Sequence, residues 1–164
     1  MNFSIHPLDE RHFAGLRDAL DSVAREQRFL AFTEAPPLEE AMAFYAAVRA
    51  NGWCLRVATL DGLVVGWCDV LPTHGQARAH VGSLGMGVVA SVRGRGIGSA
   101  LLGAALDAGW ASGFTRIELS VRCDNLNAKA LYERHGFVSE GVLRRAFKVE
   151  GRYFDAVAMA LLRE

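Results

Sequence analysis

The chain has 164 residues, 51% of them hydrophobic, which is enough for the packed core of one domain spanning residues 1–164. Its 18 basic and 18 acidic side chains cancel, so the composition argues against a nucleic-acid-binding surface or a polybasic membrane patch. No apolar run reaches the ~18 residues of a membrane-spanning helix, and the three cysteines lack C-x-x-C spacing. We therefore predict a cytoplasmic protein with reduced thiols and no metal site.

The N-terminal half predicts two helices set among three strands. Residues 3–8 alternate in polarity as a strand does, and Asp9 is a suitable N-cap for the helix that follows. A segment without periodicity, residues 26–37, ends in two prolines and predicts a loop. Asp61-Gly62 is a two-residue hairpin signal between two apolar runs. The predicted ranges are helices 10–24 and 38–50 and strands 55–60 and 63–71.

The C-terminal half predicts strands that alternate with helices and end in a hairpin. Gly82, Gly85 and Gly87 lie in one predicted strand and suggest a bulge or a close approach of two backbones. Glu150-Gly151 is the predicted turn of the last hairpin. The predicted ranges are strands 79–89, 115–121, 137–149 and 152–162 and helices 96–112 and 125–135.

A glycine-rich turn precedes the helix predicted from Gly96. It reads Arg93-Gly94-Arg95-Gly96-Ile97-Gly98-Ser99. Glycines allow a positive φ and a close approach of backbone to ligand. The N-terminus of a helix offers unpaired N–H groups and the positive end of its dipole. The turn therefore predicts a site for phosphate or pyrophosphate.

Other glycine-rich motifs fit this turn less well. No lysine follows the glycines, which excludes a P-loop. In a dinucleotide-binding fingerprint Ser99 would occupy the third glycine position, and Glu118 would lie where the ribose-binding acid is expected. That alternative is weakened and stays open, as does a turn that only caps a helix.

A second motif lies downstream. The spacing Arg93-x-x-Gly96-x-Gly98 is followed by Asn125, Ala128, Tyr132 and the pair Gly136-Phe137, which match N-x-x-A-x-x-x-Y-x-x-x-G-F. Together the two motifs resemble the GNAT superfamily of N-acetyltransferases. The resemblance covers residues 81–162. It implies an α/β (α+β) fold, with a mixed central sheet flanked by helices in the order β-α-α-β-β-β-α-β-α-β-β.

The resemblance also implies acetyl-CoA as the acyl donor and a set of residues that would hold it. Backbone groups near Met86 to Val89 would pair with the pantetheine arm, and Tyr132 would protonate the departing sulfur. One of Asn125 and Asn127 would cap a helix and the other would contact the cofactor. The residues predicted to bind the cofactor are Val88, Val89, Arg93, Gly94, Arg95, Gly96, Gly98, Ser99, Asn125 and Asn127.

The acceptor and the general base are less defined. Relatives that acetylate protein N-termini carry a glutamate where this chain has Ser120, so Glu118, on the same strand face, is our candidate base. Glu26 and Glu34 are further candidates. Segments 23–34 and 151–156 resemble relatives that acetylate free amino acids or related small amines. Arg28, with Arg25 second, would then bind the substrate carboxylate, and Glu34 would also face the substrate.

The sequence thus predicts an acetyltransferase that acts on a small-molecule amine, with neither a nucleic acid nor a membrane as partner. Acetylation of protein N-termini and a non-catalytic acyl-CoA-binding module are the alternatives. The final hairpin carries many apolar side chains, so we also expect a homodimer.

Overall fold

A seven-stranded sheet forms the centre of the computed structural model, which describes residues 2–164. The strands are β1 (Phe3–Pro7), β2 (Cys54–Leu60), β3 (Leu63–Pro72), β4 (Val81–Val88), β5 (Arg116–Arg122), β6 (Val138–Val149) and β7 (Arg152–Leu162). The helices are α1 (Phe13–Ala24), α2 (Leu38–Ala50), α3 (Ile97–Ala111) and α4 (Leu126–Arg134). The expected mixed fold and element order are confirmed.

The strand order is β1-β2-β3-β4-β5-β7-β6. All neighbouring strands are antiparallel except β4 and β5, which are parallel. Parallel strands need a long crossover connection, and α3 provides it. This parallel pair of β4 and β5 lies in the middle of the sheet, where the two antiparallel halves of the sheet meet.

Each face of the sheet packs on its own pair of helices. Leu101 and Leu102 of α3 and Tyr132 of α4 belong to one buried cluster. Leu16 of α1 and Tyr45 of α2 belong to the other. Side chains alternate along β3, so Cys68 and Val70 face the first cluster while Trp67 faces the second.

Two local predictions are refined. The first helix opens with a 3₁₀ turn over Glu10–His12, where Asp9 and His12 form a capping box. The glycines of β4 reflect close approach, since β3 and β4 pair in continuous register. A Cβ on Gly82 would lie 2.5 Å from Val70, and one on Gly87 would lie 2.4 Å from the Trp67 ring. Packing between strands, not a bulge, requires glycine at these positions.

Candidate active site

The parallel strands β4 and β5 pair over three residues and then separate. Ser83 opposite Glu118 is the last pair, while β5 continues to pair with β7 as far as Arg122. The Val89 N–H donates to Val65 of β3 at 2.9 Å. Because backbone groups alternate in direction along a strand, those of Met86 and Val88 point into the gap. The open edge of β4 can therefore accept an extended ligand as a strand would.

The gap opens into a cavity of about 890 Å³. Met86, Gly87 and Val88 line it from β4, and Ser120 and Val121 line it from β5. The glycine turn and α4 close it on one side, while residues of α1 and the segment after it close it on the other. The space is large enough for a cofactor-sized ligand.

The glycine turn places the N-terminus of α3 on this cavity. Gly94 has φ +76° and Gly96 has φ +84°, which is the left-handed region that favours glycine. No side chain caps the helix at Gly96, and Gly96, Gly98 and Ser99 line the cavity. The first N–H groups of the helix therefore lack an intrahelical acceptor and can bind an anion.

Arg93 connects the turn to the segment after α1. Its Nε donates to the Val88 carbonyl at 2.8 Å, and its two terminal nitrogens form hydrogen bonds of 2.8 and 2.5 Å with the Glu26 carboxylate. The guanidinium also lies 4.7 Å from the centre of the Phe29 ring. Arg93 thus lines the cavity, but its charge is already paired with Glu26. We infer that it mainly fixes the shape of the turn.

α4 contributes a buried tyrosine and two asparagines to the cavity wall. Asn125 is the N-cap, because its Oδ1 accepts a hydrogen bond from the Ala128 N–H at 3.3 Å, while Asn127 is exposed and lines the cavity. Tyr132 is 7% exposed and packs against Phe137. Among residues 2–164, every fully buried polar side-chain atom has a hydrogen-bond partner. The Tyr132 hydroxyl forms no hydrogen bond with these residues, so its oxygen is exposed to the cavity that Tyr132 lines.

Two further charged side chains lie in the cavity wall, one basic and one acidic. Arg28 and Asp124 both line the cavity, and Arg28 is among the cations that lower the pKa of Asp124, after the larger effect of hydrogen bonds from Arg122. The two charges are close enough to interact. Both Asp124 oxygens are already bound by Arg122, so Arg28, which forms no ion pair among the described residues, is the charged group of the two that can bind a ligand carboxylate.

Arg122, which we did not single out from the sequence, holds this region together. Its buried guanidinium donates to both Asp124 oxygens at 2.9 and 2.6 Å and to the Gln27 carbonyl at 2.9 Å. It also lies 3.7 Å from the centre of the Phe154 ring of β7. Gln27 has φ +57°, which costs energy in a residue other than glycine. The Arg-x-Asp spacing at the end of a strand was the available sequence signal.

Several predicted residues lie elsewhere. Glu118 is not part of the lining; its carboxylate accepts hydrogen bonds from Arg78 at 2.6 Å and Arg116 at 2.9 Å. Glu34 is exposed and pairs with Arg25, which also binds Asp21. Both carboxylates are bound by arginines outside the cavity lining, so this geometry favours structural roles for them. Val89 and Arg95 also lie outside the lining.

Comparison with known proteins agrees with this architecture. The model of the acetyltransferase (GNAT) family matches residues 17–137. An L-amino acid N-acetyltransferase of Escherichia coli is 35% identical over 106 residues, which cover 63% of this chain and 65% of that protein, just under two thirds of its length.

Two solved structures extend the comparison. A GNAT-family acetyltransferase from Streptococcus pneumoniae superposes with a TM-score of 0.91 at 26% identity, covering 99% of this chain and 100% of that one. A phosphinothricin acetyltransferase from Sinorhizobium meliloti, solved with AcCoA, has a TM-score of 0.91 at 19% identity and covers 99% and 89%. The chain therefore belongs to the acetyltransferase (GNAT) family.

The described residues include neither a membrane-spanning helix nor a metal-ligand cluster. None of the helices between residues 2 and 164 is both long and apolar enough to span a membrane. The same residues contain no cluster of three or more His, Cys, Asp or Glu side chains that could hold a metal ion.

Proposed function

We propose that this protein transfers the acetyl group of acetyl-CoA to the amine of a free amino acid or a closely related small molecule. The observation that carries the proposal is the cavity in the β4–β5 gap. Its wall contains the free N–H groups at the start of α3, the Tyr132 hydroxyl and the Arg28 guanidinium, which forms no ion pair among the described residues. The E. coli relative named for L-amino acid acetylation supports the acceptor class.

The residues present fit acetyl-CoA. The first N–H groups of α3, with Gly94, Gly96, Gly98 and Ser99 around them, would hold the pyrophosphate. Backbone groups of Met86 and Val88 would pair with the pantetheine amides, as an added strand does. Asn127 would contact the same arm. When bound, the thioester supplies an activated acyl carbon.

Tyr132 would supply the proton that the leaving sulfur needs. Burial raises the pKa of this phenol above its ordinary value near 10, so the hydroxyl stays protonated throughout the neutral range. As the amine forms its bond to the acyl carbon and the C–S bond breaks, the hydroxyl can donate to the sulfur.

Arg28 would bind the acceptor carboxylate, and its replacement tests the acceptor class. Losing a charge-assisted hydrogen bond costs roughly 1.5–3 kcal/mol, so Arg28→Ala should raise the KM for the amino acid about 10- to 150-fold. The KM for acetyl-CoA should change little. Arg25→Ala is the matched control, because that arginine is paired with Asp21 and Glu34 outside the cavity.

Steady-state kinetics with free amino acids, amino-acid amides and short peptides distinguish the alternatives. Amidation of the substrate carboxylate should weaken wild-type activity and leave Arg28→Ala almost indifferent. A preference for peptides over every free amino acid would instead identify a protein N-terminal acetyltransferase. Tight binding of acetyl-CoA without turnover of any amine would identify a non-catalytic binding module.

We also propose a cytoplasmic location and a homodimeric state. For the location, all three cysteines are free thiols, as in a reducing compartment, and burial raises the pKa of both Cys54 and Cys68, which makes these two unreactive.

For the homodimer, the hairpin of β6 and β7 leaves Val138, Val142, Leu143 and Tyr153 exposed. Such apolar surface is typical of an interface between subunits.

A further inference from the structure

We propose that Asp69 of β3 is the general base that removes the proton from the acceptor ammonium group. The inference rests on the proposed amine acetylation, because a base is needed only if the acceptor arrives as an ammonium ion. Glu118, Glu26 and Glu34, the carboxylates considered from the sequence, are all paired with arginines. Asp69 differs from them in its position and in its partners.

The position follows from strand register. Asp69 lies opposite Gly85 of β4, two residues beyond Ser83, which forms the last pair with β5. A Cβ built on Gly85 would lie 3.5 and 3.7 Å from the two Asp69 oxygens. The carboxylate therefore covers Gly85 where the two strands separate. Gly87, which lines the cavity, is two residues further along, or about 7 Å at ~3.3 Å per residue.

The carboxylate is also on the acceptor side of the sheet. Side chains alternate along β3, so Asp69 shares the face of Trp67, which packs against α1 and α2. Phe29 and Val23 line the cavity from this same side. Asp69 is half-buried and lies just outside the cavity lining, behind Gly87, which the Trp67 ring covers. The proposed proton transfer from an ammonium group at the Gly87 end of the cavity to the carboxylate therefore runs through one bridging water.

Asp69 has no cationic partner among residues 2–164. In the part of the chain that the structure describes, it belongs to no ion pair. Tyr45 of α2 and the thiols Cys54 and Cys68 interact with its charge, and Arg17 of α1 acts on Tyr45. Burial raises the pKa of Asp69 to about 7, against a smaller opposite effect of the Gly85 N–H. A carboxylate without a cationic partner destabilises a strand interior, so its presence there favours a functional role for Asp69.

The proton balance of the step is simple. The Asp69 carboxylate takes one proton from the ammonium, and the freed lone pair of nitrogen forms the bond to the acyl carbon. The C–S bond breaks, and the sulfur takes the Tyr132 proton. The second amine proton leaves to water as the amide forms. Water then returns a proton to Tyr132 and removes one from Asp69.

The test compares Asp69→Asn with Asp69→Glu, using Asp107→Asn on exposed α3 surface as the matched carboxyl-to-amide control. The value of kcat/KM for the amine is measured from neutral to alkaline pH, and acetyl-CoA affinity is measured by calorimetry. Asp69→Asn should lower kcat/KM about 10²–10⁴-fold near pH 7. The deficit should shrink above the pKa of the acceptor amine itself, where the amine arrives neutral. Asp69→Glu should recover part of the rate, and acetyl-CoA affinity should be unchanged in all variants.

Two results would overturn the inference. The first is a kcat/KM of Asp69→Asn within about threefold of wild type near neutral pH, a loss well below the range for removal of a general base. The second is a loss of kcat/KM that is the same at every pH. If Asp69→Asn does not fold, ¹³C-carboxyl titration of the wild-type protein replaces it. An aspartate that titrates together with the rising limb of the pH–rate profile supports the assignment, and its absence contradicts it. If peptides prove to be the acceptors, the same series is run with a peptide, so failure of the acceptor proposal does not decide the role of Asp69.

Discussion

At the residue scale, the site depends on which charged side chains are paired and which are open. Arg93 and Arg122 are each bound to a carboxylate and a backbone carbonyl, so they mainly hold segments in place. Arg28 lies in the cavity wall without an ion pair among the described residues. Residue type alone does not separate these two groups of arginines.

Tyr132 is tested by removing one oxygen. Tyr132→Phe keeps the ring and its contact with Phe137, so stability should change little. Loss of a general acid costs about 10²–10⁴-fold in rate, and kcat should fall by that factor while acetyl-CoA affinity is retained. Single-turnover kinetics check this, with Tyr153→Phe on the exposed hairpin as control. If chemistry limits the rate and turnover is unchanged, the tyrosine only packs the core.

At the element scale, α3 combines a structural role with the proposed binding of the cofactor pyrophosphate. Its body carries Leu101, Leu102 and Ala105 into the core, while its N-terminus opens on the cavity. Packing of the body fixes the direction of the helix, and therefore the direction of its free N–H groups. The turn before it is kept short and left-handed by Gly94 and Gly96.

Gly98→Val separates the binding role of α3 from its structural role. The new Cβ would make ordinary contacts, 3.5 Å to Leu131 and 3.7 Å to Met86, but the valine methyls would project into the cavity. We expect acetyl-CoA affinity to fall at least ~10-fold, or about 1.4 kcal/mol, with the fold intact. Gly103→Val is the control in the same helix, since a Cβ there meets nothing within 4 Å. If calorimetry gives the two variants equal affinity for acetyl-CoA, the assignment of the pyrophosphate site to this turn is wrong.

At the scale of the whole molecule, the sheet ends in an exposed edge. β6 is the last strand in the order, and most of its 12 residues are exposed. Irregular register near Gly141 and before Phe147 bends it against β7, a common way to limit uncontrolled pairing of an edge strand. Val157 and Met159 of the hairpin are buried in the core, so the candidate interface is smaller than the sequence alone suggested.

The expected homodimer is tested by light scattering at micromolar protein. A mass of twice 17.8 kDa is expected for the wild-type chain. Val142→Lys should shift the equilibrium toward monomer, because it places a charge where an apolar side chain would be buried. Leu63→Lys, an equally exposed apolar position at the β2–β3 turn, should leave the mass unchanged. A wild-type mass of one chain would contradict the prediction.

The sequence by itself determined those features that local interactions control. Periodicity, caps and turn signals located each α-helix and strand of the described residues to within a few residues, but not the short 3₁₀ helices Gln76–Arg78 and Ala90–Val92. Asp9 marked a helix start, and the glycine turn and the motif that begins at Asn125 indicated residues that line the cavity. Only the tertiary structure decided which carboxylates are paired, because Glu118 meets an arginine 40 positions away and Glu26 meets Arg93, 67 positions away. It also brought Asp69 over Gly85, since side-chain neighbours across a sheet depend on register between strands distant in the chain.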